Sequence, residues 1–132
     1  MKFYISILFF VLISGCSSLD HKEEKGSQVL YKIVAVAETE LDKNGDTCAD
    51  ATGVIRVLHN KVTGSASDTF GRGYRVSGSI DSNRNITGGF AITVVTAVDY
   101  NGQISEDGKR AKGEWKDLYE CKGVWTATII KS

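Results

Sequence analysis

The chain has 132 residues, with 16 Lys and Arg against 16 Asp and Glu, 14 glycines, three cysteines and no proline. That balance leaves no net field to recruit nucleic acid or an anionic lipid surface, and the length suits one domain with its own core. There is no phosphate-cradling glycine loop and no cluster of histidines and cysteines at metal-ligand spacing, so the sequence implies no cofactor.

Lys2 gives the chain a positive start, residues 3–13 are almost wholly apolar, and Ile13-Ser14-Gly15-Cys16 closes the run. An apolar core of that size is too short to remain across a bilayer and suits a secretory signal. Its last four residues resemble the lipobox of bacterial lipoproteins: an aliphatic residue, two small ones and a cysteine. The resemblance implies cleavage before Cys16, a diacylglycerol on its sulfur and a further acyl chain such as palmitate on the new amino terminus. Ser17 follows, rather than the aspartate that favours inner-membrane retention in enteric bacteria, so in a Gram-negative cell the resemblance points to the outer membrane. Several acyl chains together anchor stably. Cleavage would leave 117 residues with a net charge of −1. The expected organisation is a signal peptide over 1–15, a lipidated cysteine and polar tether over 16–28, and a single β domain over 29–132. The tether sequence SSLDHKEEKGS, which includes His21, has too little apolar content to fold and spans at most about 35–40 Å.

Residues 29–41 (VLYKIVAVAETEL) are dense in β-branched types yet also fit one helix face; the strands that follow favour a strand. Asp42-Lys43-Asn44-Gly45-Asp46 breaks it. From residue 51 onward one phrase recurs: apolar, any, glycine, any, apolar. It starts at 51, 62, 76, 86, 111 and 121, and more loosely at 100. Intervals of 10 to 14 residues are one strand plus one turn. Within a strand the first, third and fifth positions share a face, so two apolar groups bracket a glycine on a buried side while polar pairs such as Ser77 and Ser79 point to water. Glycine inside a strand lets the backbone bend or a bulky neighbour lie over it, and Phe90, Trp115 and Trp125 are the candidates for that bulk. The predicted strands are 51–58, 62–66 and a few residues beyond, 74–80, a long 86–98, a short 103–105, 110–116 and 121–130. Asp99-Tyr100-Asn101-Gly102 reads as a tight turn.

Short connections make sequential strands pair as a meander, and eight such strands can close into a small barrel; a two-sheet sandwich uses the same strands. The predicted inward set is Ile55, Val57, Val62, Tyr74, Val76, Ile80, Ile86, Phe90, Ile92, Val94, Ile104, Trp115, Trp125 and Ile129. Porin-like barrels reverse this arrangement, with apolar groups outside. With Cys16 lipidated, Cys48 and Cys121 form an even pair in an oxidising compartment, and a disulfide is expected, with two free thiols as the alternative. If strand one lies between strands two and eight, those two stand about 10 Å apart. The bridge then needs Cys48, in the loop before strand two, to reach across the rim.

Asp42, Asn44, Asp46 and Asp50 have the alternating oxygen ligands that open a calcium loop, but Thr47 stands where that loop needs glycine and Gly53 where it needs a bidentate acid. Such runs also make ordinary turns. His59 has no serine or cysteine singled out beside it, and Glu106 and Asp107 lie in turn sequence, so no catalytic residue is assigned. Gly113-Glu114-Trp115 and Gly123-Val124-Trp125 resemble the Gly-x-Trp of lipocalin and avidin barrels, which carry small apolar ligands. In lipocalins that motif opens the first strand, so no pocket residue carries over. The glycine-bracketed strands are also similar to barrel domains of surface lipoproteins that bind host proteins. The functional expectation is a lipid-anchored envelope interaction module meeting a protein or glycan, with inhibition of a hydrolase by an inserted loop as one form of it. A carrier of a small apolar ligand and an envelope enzyme are the alternatives. Candidate binding residues are Arg72, Tyr74, Arg84, Tyr100 and Tyr119, chosen as aromatics and arginines.

Overall fold

The computed structural model describes residues 28–92 and 95–131; the signal segment, Cys16, the tether before residue 28, and Val94 lie outside the described residues. Eight strands run in chain order: β1 (Val29–Ala37), β2 (Ala51–Leu58), β3 (Lys61–Asp68), β4 (Gly73–Ile80), β5 (Asn85–Ile92), β6 (Val95–Ile104), β7 (Arg110–Asp117) and β8 (Lys122–Lys131). Each pairs antiparallel with the next, and β1 pairs with β8, so the sheet closes into a barrel and the sandwich is excluded. The ambiguous first segment is a strand, paired on both sides from Leu30 to Ala35.

Burial alternates along the strands as the phrase requires, and in all seven copies both apolar residues and the glycine are turned from solvent. The loosest copy, Tyr100 to Ile104, corrects two expectations. There is no turn at 99–102: β6 runs straight through it, with Gly102 opposite Gly113 on β7. The predicted long strand is instead two, since β5 ends at Ile92 and β6 begins opposite it at Val95. A register shift between Phe90 and Ala91 moves Ile92 off the inward face, leaving it 38% exposed instead of in the core. Tyr100 is buried, and its hydroxyl donates to the Ser77 carbonyl at 2.9 Å.

Three of the phrase glycines make room for rings; of the expected candidates only Trp125 lies over one, and the other ring is Tyr100. Gly78 and Gly88 face each other across β4 and β5, and a methyl group on either would meet the Tyr100 hydroxyl as well as backbone. Gly102 lies under the Trp125 ring in the same way. Over this floor Tyr74, Phe90, Tyr100 and Trp125 form a chain of tilted and edge-on contacts, with ring centroids 6.1, 5.5 and 5.6 Å apart. Both indole N–H groups are satisfied, Trp115 donating to the Val124 carbonyl and Trp125 to that of Asn101. The void enclosed by Ile33, Ile55, Val76, Phe90, Tyr100 and Trp125 measures about 10 Å³, no more than the space of one water, and its lining is apolar.

Four reversals share one five-residue device, at 42–46, 68–72, 81–85 and 117–121. In each, the leading aspartate accepts the N–H of the second and fourth residues after it through one carboxylate oxygen, at 2.7–3.0 Å. The fourth residue of each, Gly45, Gly71, Arg84 or Glu120, has φ between +69° and +88°. This is a type I turn followed by a left-handed residue, a geometry native to hairpins and tightened by the aspartate.

The barrel has two unlike ends. One holds the start of β1, the end of β8 and the short turns at 59–60, 81–84 and 105–109. The other, the far rim, holds the long 38–50 loop and the turns at 69–72 and 118–121. Cys48 and Cys121 are bonded there, with Cα atoms 5.8 Å apart. β1 does lie between β2 and β8, and the loop carries Cys48 past the end of β1 to close the gap. Among the described residues, all eight strands, the core and this disulfide lie within 29–131.

Candidate functional site

The far rim is a braced frame. Glu38 and Thr39 donate backbone N–H groups to the Lys122 carbonyl, Lys43 donates to that of Tyr119, and Thr69 donates to that of Asp50, so the long loop is tied to both neighbouring turns. The disulfide adds a covalent link between the same loop and the start of β8.

The 68–72 turn differs from its three copies because its aspartate is sunk into the barrel mouth, with the side chain only 3% exposed. Asp68 Oδ1 caps the turn, and Oδ2 receives Arg72 Nε at 2.8 Å and the Tyr74 hydroxyl at 2.7 Å. Burial alone would raise the Asp68 pKa, but the hydrogen bonds from Tyr74, Arg72 and Phe70 outweigh it and hold the carboxyl below its ordinary value. Tyr74 is pushed up to about 12 by its burial and by donating to that carboxylate. At neutral pH one group is therefore firmly ionised and the other firmly neutral, so neither is poised to exchange a proton. The cluster is a structural clamp that fixes the Arg72 backbone and Nε.

Beneath the rim, a cleft of about 100 Å³ runs down past Asp68, Tyr74 and the disulfide to Phe90 and Trp115. Outside it, an open groove of about 690 Å³ lies between residues 42–47 and the side chains of Phe70, Arg72 and Tyr119. Large apolar side chains stand exposed on this rim: Phe70 and Leu118 at 58%, Leu41 at 51% and Tyr119 at 50%. A cation lies over each ring of the groove, Arg72 5.8 Å from the centre of Phe70 and Lys43 6.0 Å from that of Tyr119.

Of the five predicted binding residues, Arg72, Tyr74 and Tyr119 come together here, with Tyr74 half-buried as part of the clamp. The other two do not. Tyr100 is a core residue, and Arg84 sits at the opposite end, where its Nε donates to the Ile104 carbonyl. His59 is also at that end, in a turn with φ of +53°. Two of the four calcium candidates are otherwise engaged: Asp42 caps its own turn, and Asp50 accepts the Ala37 N–H at 2.8 Å. Among the described residues, no three His, Cys, Asp or Glu side chains converge on a point that could hold a metal. Sequence reasoning missed Asp68, Phe70, Leu118 and Leu41. For Phe70 and Leu118 the available signal was an aromatic or leucine inside a five-residue turn led by aspartate, a position with no route into the core; Leu41, just before such a turn, and Asp68 carried no such signal.

The fold and this rim define a closed eight-stranded meander barrel with a filled interior and an apolar, braced mouth. No protein-family model matches the chain, and no curated protein matches it either.

Proposed function

We propose that the chain is a lipid-anchored protein of the bacterial envelope, held by Cys16 at the outer membrane, whose far rim binds another protein. The observation that carries this reading is the exposure of Leu41, Phe70, Leu118 and Tyr119 at the end of the barrel opposite the start of β1, with Phe70 and Tyr119 lining one groove. A tether entering at Val29 would turn that rim away from the lipid. Large apolar groups in water, backed by a rigid frame, are the makings of a hot spot. The form that suits such a mouth best is seating of a partner's protruding segment; inhibition of a hydrolase by an inserted loop is the other form of the same reading. A carrier of apolar ligands is less well supported, because the interior void is about 10 Å³, far below the volume of such a ligand.

Two measurements test this. Metabolic labelling with palmitate should mark the wild-type chain and not Cys16→Ala; equal labelling of both refutes the anchor. Benzoylphenylalanine in place of Phe70 or Tyr119 should give a discrete photo-crosslinked protein adduct in living cells, whereas at His59 it should not. Equal yields at all three positions, or none at any, refute the far rim as the interaction surface.

A further inference from the structure

The far rim is charged as well as apolar. Segments 38–50, 68–72 and 117–121 hold eight of the chain's 16 acidic residues and two of its 16 basic ones, a net charge of −6, or −4 when Lys116 and Lys122, which flank the last segment beside Glu38, are counted with them. The described remainder is net positive, with Lys32, Arg56, Arg75 and Lys112 among the bases exposed on the barrel wall. An overall neutral chain is therefore strongly polarised. One of the two rim bases is already matched, Arg72 to the buried Asp68. Glu38, Glu40, Asp46, Asp50 and Glu120 are exposed, and among the described residues none of them enters an ion pair. Crowding like charges costs stability, and the disulfide and cross-loop hydrogen bonds hold these together.

Resting on the reading of this rim as a protein-binding surface, we infer that its groove docks a cationic polypeptide segment that also carries large apolar side chains. Charge complementarity selects the first property: Asp42 and Asp46 line the groove against one base, Arg72, whose Nε is already matched to Asp68, and Glu120 follows Tyr119 in the chain. The second follows from Phe70 and Tyr119, whose exposed rings offer apolar area and attract cations, one face of each being taken by a base of this chain. The groove already displays that chemistry, since Arg72 and Lys43 each lie over one ring. The groove is shallow and open to solvent, so side chains of an exposed loop or helix turn can reach it. Opposite charge would also speed encounter and exclude acidic competitors.

The test uses the chain from Ser17 onward, which contains the whole barrel, and three short synthetic peptides: Lys/Leu amphipathic, Lys/Ser and Glu/Leu. Backbone amide shifts are followed by NMR during titration. The expected result is binding of the Lys/Leu peptide with shifts at residues 42–47, Phe70 and Tyr119, weakening as salt is added. The other two peptides should bind at least about tenfold more weakly, and Phe70→Ser or the pair Asp46→Asn and Glu120→Gln should weaken the Lys/Leu peptide by about tenfold. These side chains are exposed, and the same spectra report whether each variant is folded. No binding, equal binding of Lys/Ser or of Glu/Leu, or shifts spread over the barrel wall would each overturn the inference. The failures separate: crosslinks from Phe70 in cells without peptide binding leave the interaction surface standing and remove only its cationic partner. Peptide binding without any crosslink removes the cellular role.

Discussion

Asp68 shows how a single side chain can serve a turn and a strand at once. Its Oδ1 makes the same two bonds as Asp42, Asp81 and Asp117, while its Oδ2 reaches Arg72 and Tyr74. Replacing it with asparagine puts an amide donor against donors, and we expect a loss of about 2–4 kcal/mol in urea denaturation, against about 1 kcal/mol for Tyr74→Phe. The pH dependence follows from the direction of each shift. A carboxyl held below its unfolded value stabilises the fold above about pH 4, and that contribution fades as pH falls through the lower folded value. A tyrosine raised to about 12 stabilises below about pH 10 and ceases to as pH climbs from there to about 12; Tyr100, raised to about 12 by burial, adds to the same alkaline limb. Asp68→Asn should flatten the acid limb and leave the alkaline one partly intact. An unchanged acid limb would refute the clamp. The residue that misled the sequence reading was Tyr100. Asp-Tyr-Asn-Gly carries strong turn chemistry, but it lies inside a copy of the strand phrase, and burial of a ring over two glycines outweighs a local turn preference.

For the strands, the legible signal was the phrase and the hidden one was where β5 gives way to β6. Thr93 and Val94 are poor turn formers, so nothing in composition marked the change, whereas the other reversals carry Asp, Asn or Gly. The glycines of the phrase are held in place by backbone, which makes them intolerant in a predictable way. A methyl group at Gly88 would strike the Ser77 carbonyl and the Gly78 Cα before it met the Tyr100 hydroxyl. Gly88→Ala should therefore cost about 1–3 kcal/mol, and adding Tyr100→Phe should not restore it. Gly73, whose added methyl would meet nothing within 4 Å, is the control, and Gly73→Ala should shift the urea midpoint little. Equal effects at both positions would show that the phrase glycines matter through strand propensity and not through close approach.

At the scale of the molecule, closure and the disulfide divide the work. Hydrogen bonding of β1 to β8 removes both sheet edges, so the barrel does not depend on the cross-link for its topology. The bond instead joins residues 73 apart and pins the long loop over the mouth. We expect Cys48→Ala with Cys121→Ala to remain folded but less stable by about 2–5 kcal/mol. In hydrogen exchange the Thr39, Lys43 and Lys122 amides should lose protection while β3 to β5 keep theirs. Uniform loss across the barrel would mean that the mouth and the wall form one cooperative unit. The cysteine pairing was legible once Cys16 was set aside for the lipobox; the site was legible only in part, through Arg72, Tyr74 and Tyr119, because Leu41, Phe70 and Leu118 acquire meaning only when three separate turns are brought to one end.

The pairing of Leu30 with Lys131 brings the outer ends of the first and last strands side by side, at the end of the barrel away from the mouth. In a ring of antiparallel neighbours no strand is privileged, so the point at which the chain is opened is a matter of convenience. A short Gly/Ser bridge from Lys131 to Val29 would make the ring continuous, and the chain could then be cut at His59-Asn60 or within 105–109 to give circular permutants with the same mouth. Cargo fused after β8 would likewise emerge beside the start of β1, leaving the groove clear.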